Sequence, residues 1–448
     1  MRLFYDCDGE RRPPTMSDAT GLAEALLGLE GFRVLAVQET AAEVVIRVET
    51  TGGVVGCPGC GTVATAHDRM AVELRDLPVF GRPARLVWRK RRYRCGEPAC
   101  GVRTWTETNR AFSSRCLLTR RAGWEACRQV GRNARPVRQL ADELGVCWDT
   151  VMEAVREHGQ PLVDDPDRVG EVAMVGVDET SFLKANAEHP TIYATGIVDL
   201  KQRIVIDVVE GNTSRDLGLW LDEQPVEWLE RIRVVATDLA ESYRHALAGR
   251  LDHAIRVADP FHVVRVASRC LDAVRRRVQN QTKGHRGRKR DPLYRIRKLL
   301  LKGAERLDGT GLDRMLLELR IGDPDGDVQG AWCAKESVRD IYLTDDPAEA
   351  QLLLDKAIEG CRTDWVEEIR SVGRTLARWR DEILNHHRTG ASNGPTEGLN
   401  LLVKKVKRAG HGFRSFTNYR LRILLHAGGV DWPAARPSPP RIRTRIPT

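Results

Sequence analysis

The chain has 448 residues, of which 42% are hydrophobic and 30% are charged, and its formal net charge is +9. This length exceeds one ordinary hydrophobic core and predicts two to four domains. No stretch is long and apolar enough to span a bilayer, which excludes a protein anchored by apolar helices. The positive charge favours a polyanionic partner, with a soluble basic protein that has no such partner as an equal alternative.

The eleven cysteines are an odd number. The first residues, Met1 to Pro14, are polar and charged and lack the pattern of a signal peptide. We therefore expect a reducing cytosol, where paired cysteines bind metal more often than they form disulfides. Residues 1–20 are predicted to be a disordered leader.

Two short cysteine pairs mark a predicted zinc-binding β module at residues 21–110. The first pair is Cys57-Pro-Gly-Cys60 and the second is Cys95-Gly-Glu-Pro-Ala-Cys100. Two turns joined by a hairpin offer the four thiolates that a structural Zn²⁺ takes in tetrahedral geometry. Unrelated cysteines in loops are the alternative, and the repetition of the pair argues against it.

Basic and aromatic side chains are interleaved just before the second cysteine pair. The candidate DNA contacts are Arg89, Arg91 and Arg92, which lie between Trp88 and Tyr93. Positive charge among aromatic rings suits contact with a DNA backbone, and a solvated strand face is the alternative.

Residues 111–160 are predicted to be helical and to contain a helix-turn-helix. Ala141 is small where two helices cross closely, Gly145 can take the positive φ of the turn, and Val151 packs back on the pair. The second helix is expected to begin near Trp148, with its first turn facing the major groove of DNA. A preceding basic stretch favours DNA binding, although any helical hairpin can produce the same pattern.

The pattern changes to strands in the next predicted domain, residues 161–261, after a linker rich in Pro and Asp. A three-stranded meander is followed by an amphipathic helix at about 215–232, which Pro225 is expected to kink or split. Short strands at 234–237 and 254–258 alternate with helices. This order predicts a ribonuclease-H-like α/β core, a mixed sheet with helices.

Asp178 and Asp238 each follow an apolar strand directly. If those strands are parallel neighbours, both carboxylates emerge at the same edge of the sheet. Because two adjacent carboxylates repel each other, the pair predicts bound cations, and oxygen ligands select Mg²⁺ or Mn²⁺. Surface turn residues are the alternative.

A third candidate acid, Glu397, begins a predicted helix within residues 389–428. Asn400 and Lys404 lie on the same face of that helix, so the stripe fits a metal ligand beside DNA phosphates. Alone, Glu397 is more simply a helix cap, but three acids at element boundaries favour a catalytic site.

Asp259 and His262 are possible accessory residues of that site, because they follow a further predicted strand. His262 has two candidate roles, orienting a ligand and contacting the scissile phosphate. A capping aspartate and a satisfied histidine are the interpretations that we favour.

Residues 262–388 are predicted to be an all-helical, basic insertion. Twelve Lys or Arg residues and one acid lie between Arg275 and Lys302, with Arg288, Lys289 and Arg290 at the densest point. Such density repels itself unless phosphates neutralise it, and a solvated loop is the alternative. Residues 429–448, rich in Pro and Arg, are predicted to be disordered.

The full ordered set of motifs resembles the bacterial insertion-sequence transposases of the ISL-three family, members of the wider Asp-Asp-Glu group. The motifs after the cysteine pairs and the helix-turn-helix are Val-Gly-Val-Asp178-Glu-Thr, Ala-Thr-Asp238, Asp259-Pro-Phe-His262, Asn393-Gly-Pro-Thr-Glu397-Gly-Leu-Asn and Lys404-Lys405-Val-Lys-Arg-Ala-Gly-His-Gly-Phe413. The resemblance covers about residues 30–430. It implies a ribonuclease-H-like core interrupted by the helical insertion, with Asp178, Asp238 and Glu397 as the catalytic acids.

The resemblance also implies a metal-dependent enzyme that binds the terminal inverted repeats of an insertion sequence, cleaves DNA and transfers strands. Lys404, Lys405 and the basic insertion would hold flanking or target DNA. Because two ends must be joined, we expect a homodimer or higher oligomer on double-stranded DNA, in the bacterial cytoplasm at the nucleoid. Two alternatives stay open, a catalytically inactive DNA-binding regulator and a nuclease that cuts without joining.

Overall fold

The computed structural model describes residues 16–113 and 116–439, with side chains from Thr20 onward. The chain forms two compact units. Of the described residues, unit 1 comprises those up to Arg168 together with those from Lys405 onward, and unit 2 comprises Val169–Lys404. None of the described helices has the length and apolar composition needed to cross a membrane.

Unit 1 begins with a helix and a mixed sheet. The elements are α1 (Met16–Leu27), β1 (Phe32–Glu39), β2 (Val44–Thr50), β3 (Thr65–Val79), β4 (Arg82–Arg94) and β5 (Thr104–Thr106), and the strand order is β1-β2-β4-β3 with β5 on β4. Phe32, Trp88 and Phe112 pack edge to face or tilted in the core of this sheet. Helix α1 begins inside the segment predicted to be a disordered leader, and residues 1–15 of that leader lie outside the described residues.

Three helices follow, α2 (Arg120–Gly131), α3 (Val137–Leu144) and α4 (Trp148–Val163). Gly145 ends α3 in the left-handed conformation, at φ 66°, and its N–H bonds back to Ala141. A residue with a side chain is strained at this φ, so the glycine permits the tight turn into α4. The two helices, the turn and the start at Trp148 are as the sequence predicts.

The sheet of unit 2 has five strands in the order β10-β9-β6-β7-β8. Its elements are β6 (Met174–Leu183), β7 (Ile192–Asp199), β8 (Ile204–Glu210), α5 (Ser214–Asp222), α6 (Val226–Glu230), β9 (Val234–Thr237), α7 (Glu241–Leu247) and β10 (Ile255–Ala258). Strands β6, β7 and β8 form the antiparallel meander, and β9 and β10 lie parallel to β6. Pro225 splits the predicted helix into α5 and α6, because proline donates no backbone hydrogen bond.

Helices alone make up the rest of unit 2 as the structure describes it. They are α8 (Pro260–Lys283), α9 (Pro292–Arg295), α10 (Arg297–Leu301), α11 (Gly309–Gly322), α12 (Asp327–Asp340), α13 (Pro347–Thr363), α14 (Glu367–Arg378), α15 (Arg380–Thr389) and the first part of α16 (Gly394–Ala409). One continuous core joins α8 to α12–α15 through residues such as Val274, Val338 and Leu354. Arg288, Lys289 and Arg290 are exposed in the connection between α8 and α9.

The C-terminal segment packs within unit 1. Helix α17 (Phe416–Ala427) contacts α2 and α4. Part of the tail that was predicted to be disordered is ordered. The Trp432 indole donates to Leu425 O over 3.2 Å and its ring lies 6.0 Å from that of Trp124, since one large aromatic side chain can anchor a polar segment. Residues 440–448 lie outside the described residues.

Candidate active site and metal centres

The register of the unit 2 sheet brings the first two predicted acids together. Val177 of β6 pairs with Thr237 of β9 in parallel, so the next residues, Asp178 and Asp238, are neighbours where this pairing ends. Asp238 follows β9 as predicted, whereas Asp178 lies within β6, which continues to Leu183 because its pairing with β7 extends beyond the pairing with β9. His262, in the first turn of α8, joins them. One ligand atom from each of the three side chains lies within 4.8 Å of the other two.

The Asp178 carboxylate is held on both oxygens. Its Oδ1 accepts from the Glu179 N–H over 2.8 Å, and its Oδ2 accepts from Asn400 Nδ2 over 2.7 Å. Burial raises the pKa of Asp178, and the hydrogen bonds and the nearby His262 offset that rise only in part.

The Asp238 carboxylate has one oxygen that accepts no hydrogen bond. Its Oδ1 is buried without a hydrogen-bond partner. Burial, reinforced by the charges of Asp178 and Glu179, raises the pKa of Asp238 to about 6. A buried carboxylate oxygen without a donor, in a side chain that clusters with a second carboxylate, is the environment that a divalent cation stabilises. The donor set therefore fits a metal ion.

Asp259 fixes the orientation of His262. Asp259 is 2% exposed and its side chain caps α8, with Oδ2 3.0 Å from His262 Nδ1 and Oδ1 accepting from the Asn393 N–H over 2.8 Å. The hydrogen bond to Asp259, together with the charges of Asp238 and Asp178, raises the pKa of His262. Asp259 caps α8, as the favoured interpretation predicts. His262 is hydrogen-bonded to Asp259 and lies beside Asp178 and Asp238.

The start of α16 packs closely against β6 at Gly176, which has no side chain. Asn393 Nδ2 donates to Val177 O over 3.2 Å, and Thr396 donates to Asn393 Oδ1. A Cβ at Gly176 would lie 2.4 Å from Thr396 Oγ1 and 2.6 Å from Leu200 Cδ2. Only glycine permits this close approach, which brings α16 beside β6 and Asn400 within reach of Asp178.

Glu397 lies in the first turn of α16 and is exposed. Its carboxylate is not a member of the cluster formed by Asp178, Asp238 and His262. Asn400, one turn further along the same helix face, makes the contact with Asp178. The sequence predicted the shared face but assigned Asn400 to DNA, and nothing in its local pattern distinguishes a DNA contact from a contact with an acid.

The four predicted cysteine ligands form one cluster in unit 1. Their sulfur atoms all lie within 4.8 Å of one another, with 3.8 Å between Cys57 and Cys100 and 3.5 Å between Cys60 and Cys95. Tetrahedral Zn–S bonds of about 2.3 Å place sulfurs about 3.8 Å apart. The N–H groups of Gly59, Glu97 and Val102 approach three of these sulfurs at 3.4 Å, as donors that stabilise thiolate charge. The cluster therefore fits a tetrahedral metal ion.

Matches to known protein families cover both the acidic cluster and the cysteine cluster. Residues 175–423, more than half of the chain, match the sequence profile of the ISL3 (ISL-three) DDE transposases, described as a transposase. The chain belongs to the ISL3 family of DDE transposases. Residues 53–100, which include all four clustered cysteines, match the zinc-finger of the transposases IS204/IS1001/IS1096/IS1165. This match and the cysteine geometry together support a structural Zn²⁺ in this ISL3 chain.

Two relatives of this ISL3 chain are insertion-sequence transposases. The transposase for insertion sequence element IS1001 of Bordetella parapertussis is 24% identical over 413 residues, which cover 90% of the chain and 97% of the relative. The transposase for IS1557 of Mycobacterium tuberculosis is 27% identical over 296 residues, which cover 62% and 65%. The resemblance seen in the motifs is confirmed, as is a DNA-cleaving and strand-transferring enzyme. The alternative of a catalytically inactive regulator is not supported.

The side chains predicted to contact DNA are mostly exposed. Exposed residues are Arg89, Arg92, Trp148, Arg288, Lys289, Arg290, Lys404 and Lys405. Arg91 is half-buried instead, with its guanidinium donating to Thr50 O over 2.8 Å, so part of its hydrogen-bonding capacity is used within the fold. Asn400 is engaged with Asp178.

Replacing Gly176 with alanine is expected to lower the free energy of unfolding of unit 2 by about 1–3 kcal/mol, because the added methyl overlaps Thr396 and Leu200. The start of α16 would move away from β6 and the hydrogen bond from Asn400 to Asp178 would be lost, so DNA cleavage should fall as well. Denaturant unfolding measures the first effect. Gly360→Ala, in α13 with no atom within 4 Å of the new Cβ, is the control and is expected to stabilise by about 0.8–1.0 kcal/mol. A Gly176→Ala protein as stable as the wild type would contradict the close approach.

Proposed function

We propose that this chain moves an insertion sequence by binding its terminal inverted repeats, cleaving the DNA there and joining the freed ends to a target, with Asp178, Asp238 and Glu397 as catalytic acids. The single observation that carries the proposal is that Asp238, which has one buried carboxylate oxygen without a hydrogen-bond partner, clusters with Asp178 and His262 in an arrangement that fits a cation.

A ribonuclease-H-like assignment of unit 2 is supported by its strand order. The antiparallel meander β6-β7-β8 continues into the parallel strands β9 and β10 on the other side of β6. Asp178 lies in the central strand β6 where its pairing with β9 ends, Asp238 follows β9, and Glu397 follows an all-helical segment. The meeting of Asp178 and Asp238 at the carboxyl end of β9 supports a ligand site there, as in open α/β sheets.

Mg²⁺ or Mn²⁺ is the proposed catalytic cofactor, because carboxylate oxygens are the ligands that these ions prefer. When bound, such ions would lower the pKa of water and stabilise charge that develops on the phosphodiester oxygens. Asp178 and Asp238 supply the buried part of this site. Glu397 is proposed as the third ligand, since it lies one turn before Asn400, which already touches Asp178.

His262 is proposed as a positioning residue for the same site. Asp259 occupies its Nδ1, which leaves Nε2 as the nitrogen that can meet a ligand or the scissile phosphate. A carboxylate behind a histidine sets both its tautomer and its ring orientation. Asp259 also binds the Asn393 backbone, so one buried carboxylate holds the histidine and the start of α16 together.

DNA binding is assigned to several exposed basic elements. Helices α3 and α4 are proposed to be a helix-turn-helix, because the Gly145 turn and the start of α4 at Trp148 have the form of that motif. The zinc module with Arg89 and Arg92 would bind the same end, and the basic connection at 288–290 with Lys404 and Lys405 would hold flanking or target DNA. Joining two ends requires two active sites, so a homodimer or larger assembly on DNA is proposed, in the cytoplasm at the nucleoid.

The test is an end-joining assay. Labelled duplexes cloned from the DNA that flanks the gene are incubated with the protein, Mg²⁺ and a supercoiled plasmid. We expect cleaved ends and ends joined to the plasmid, and we expect Glu397→Gln to give neither while still retarding the duplex in a gel. Cleavage without joined product would make the enzyme a nuclease. A fully active Glu397→Gln would remove Glu397 from the site.

A further inference from the structure

A groove of about 600 Å³ lies within unit 1, beside the first turn of α4. Its walls come from the starts of α3 and α4, from the turn at 409–415 that precedes α17, and from α17 itself. The lining residues that carry the argument are Arg138, Trp148, Arg156, Phe413, Arg414 and Arg422. None of the proposed catalytic acids is among the lining residues.

The turn at 409–415 contains two consecutive residues with positive φ, a backbone conformation that residues with side chains rarely adopt. His411 has φ 50° and Gly412 has φ 99°, both in the left-handed region. A Cβ at Gly410 would lie 2.5 Å from the Phe413 ring, so this position requires glycine. The turn seats Phe413 edge to face against Tyr419, with ring centroids 5.3 Å apart, and leaves Arg414 exposed at the rim of the groove. Strained backbone of this kind concentrates at functional sites.

Arg422 is a buried cation without a counter-charge. It is 3% exposed, and its only direct hydrogen bond in the described structure runs from Nη2 to Arg135 O over 3.2 Å. Its Nε is buried without a partner, and within residues 16–113 and 116–439 no carboxylate lies within 4.0 Å of the guanidinium. The Phe413 ring, 5.1 Å away, offers only a cation–π contact. Burying a charge without a partner is costly, so the groove is prepared for an anion.

Most of the other charges that line the groove are positive. Arg138, Arg156 and Arg414 are exposed along it, and Asp149 is its one acidic lining residue. Arg138 is already paired with Asp142, 3.0 Å away, so Arg156 and Arg414 are the rim charges that the argument uses. Arg156 Nε is bonded only to the neutral Asn418 amide, over 3.2 Å, so its charge is not neutralised by that contact. Trp148, 38% exposed, provides an apolar surface at the start of α4.

We propose that this groove seats a phosphodiester group of the DNA backbone, with Arg422 as its buried anchor and Arg414 and Arg156 at its rim. The inference rests on the proposed binding of DNA by α3 and α4. Contacts to phosphates fix the register of a protein on a duplex without reading its sequence. A phosphate held beside the first turn of α4 would therefore set the depth and angle at which that helix enters the major groove.

The test measures the affinity for a duplex from the flanking DNA, and for an unrelated duplex of the same length, over a range of salt concentrations. Arg422→Met is expected to weaken the binding of both roughly tenfold. The slope of log affinity against log salt should become shallower by about 1. Arg414→Gln should act in the same direction, and it keeps the test decisive if Arg422→Met does not fold. Because methionine removes an uncompensated buried charge, its thermal midpoint is expected to equal or exceed that of the wild type.

Arg110→Gln, at an exposed arginine of unit 1 outside the groove, is the matched control and is expected to leave the slope unchanged. If Arg422→Met and Arg414→Gln both bind DNA with the wild-type dependence of affinity on salt, the groove does not hold a phosphate. The proposal that the chain binds DNA would be unaffected by that result. A wild-type protein that does not bind the flanking duplex would overturn the proposed function itself. Deoxyadenosine monophosphate tests a free nucleotide as the occupant. If it raises the thermal midpoint of the wild type as much as duplex does at equal phosphate concentration, and does not raise that of Arg422→Met, the groove binds a free nucleotide and the DNA assignment is wrong.

Discussion

Replacing Asp238 with asparagine is expected to reduce cleavage of the end duplex by about 10³-fold or more while end binding is retained. The substitution keeps the shape of the side chain and removes the charge that would hold a cation beside Asp178. Cleavage is measured on a labelled duplex with Mg²⁺, and binding is measured by gel retardation. Asp178→Asn should behave in the same way.

The stability of Asp238→Asn separates loss of the site from loss of the fold. Burial raises the pKa of Asp238 to about 6, so its ionisation at neutral pH disfavours the folded state. The neutral variant should therefore melt in chelator at or above the wild-type midpoint. Excess Mg²⁺ should raise the midpoint of the wild type and not that of the variant, because only the wild type binds the ion in its folded state.

Two comparison variants sharpen this result. Glu188→Gln removes an exposed carboxylate of unit 2 outside the cluster and should leave cleavage unchanged. His262→Asn keeps both acids and removes the ring that Asp259 orients, so a loss of about 10–100-fold is expected. An Asp238→Asn protein that still cleaves with wild-type rates would remove this cluster from the chemistry altogether.

Replacing Cys95 with serine is expected to empty the zinc site and unfold the module around it. Zinc binding contributes about 10–16 kcal/mol in zinc-finger peptides, which exceeds or matches the 5–15 kcal/mol stability of a typical domain. The wild type should carry one zinc per chain by elemental analysis and the variant none. End binding should fall with the metal content, since Arg89 and Arg92 lie on β4, which leads directly into Cys95.

Cys147→Ser is the matched control for the zinc experiment. Cys147 is exposed in unit 1 and is not a member of the four-cysteine cluster. Zinc content and thermal midpoint should both equal those of the wild type. If Cys95→Ser retained its zinc and its melting curve, the cluster could not be the structural site.

Local patterns were sufficient to predict which acids and which cysteines cluster. Apolar segments that each lead to an aspartate predicted that Asp178 and Asp238 would meet, and the parallel register of β6 with β9 brings them side by side, although β6 continues past Asp178 to Leu183. The spacing of the cysteine pairs likewise predicted one cluster, because a hairpin such as β3–β4 returns the chain to its starting point.

The prediction from local composition was wrong where the packing of one side chain orders a segment that is otherwise polar. The Pro- and Arg-rich segment after residue 428 was expected to be disordered, yet Trp432 packs so closely on α2 that a Cβ at Gly131 would lie 2.8 Å from its ring. The same tail hydrogen-bonds to α4 through Ser438, whose hydroxyl donates to Glu157 O over 2.9 Å. Average composition does not register one well-placed aromatic residue.

The sequence by itself determined the family, the order of the elements and the cysteines and aspartates that cluster, because each depends on a motif or on a period of a few residues. The tertiary structure alone decided which of those residues meet. Asn400 contacts Asp178, and Asp259 ties His262 to Asn393, across 222 and 134 residues of chain. Such contacts depend on how helices dock, through close approaches such as Gly176 on Thr396, and no short-range pattern encodes them.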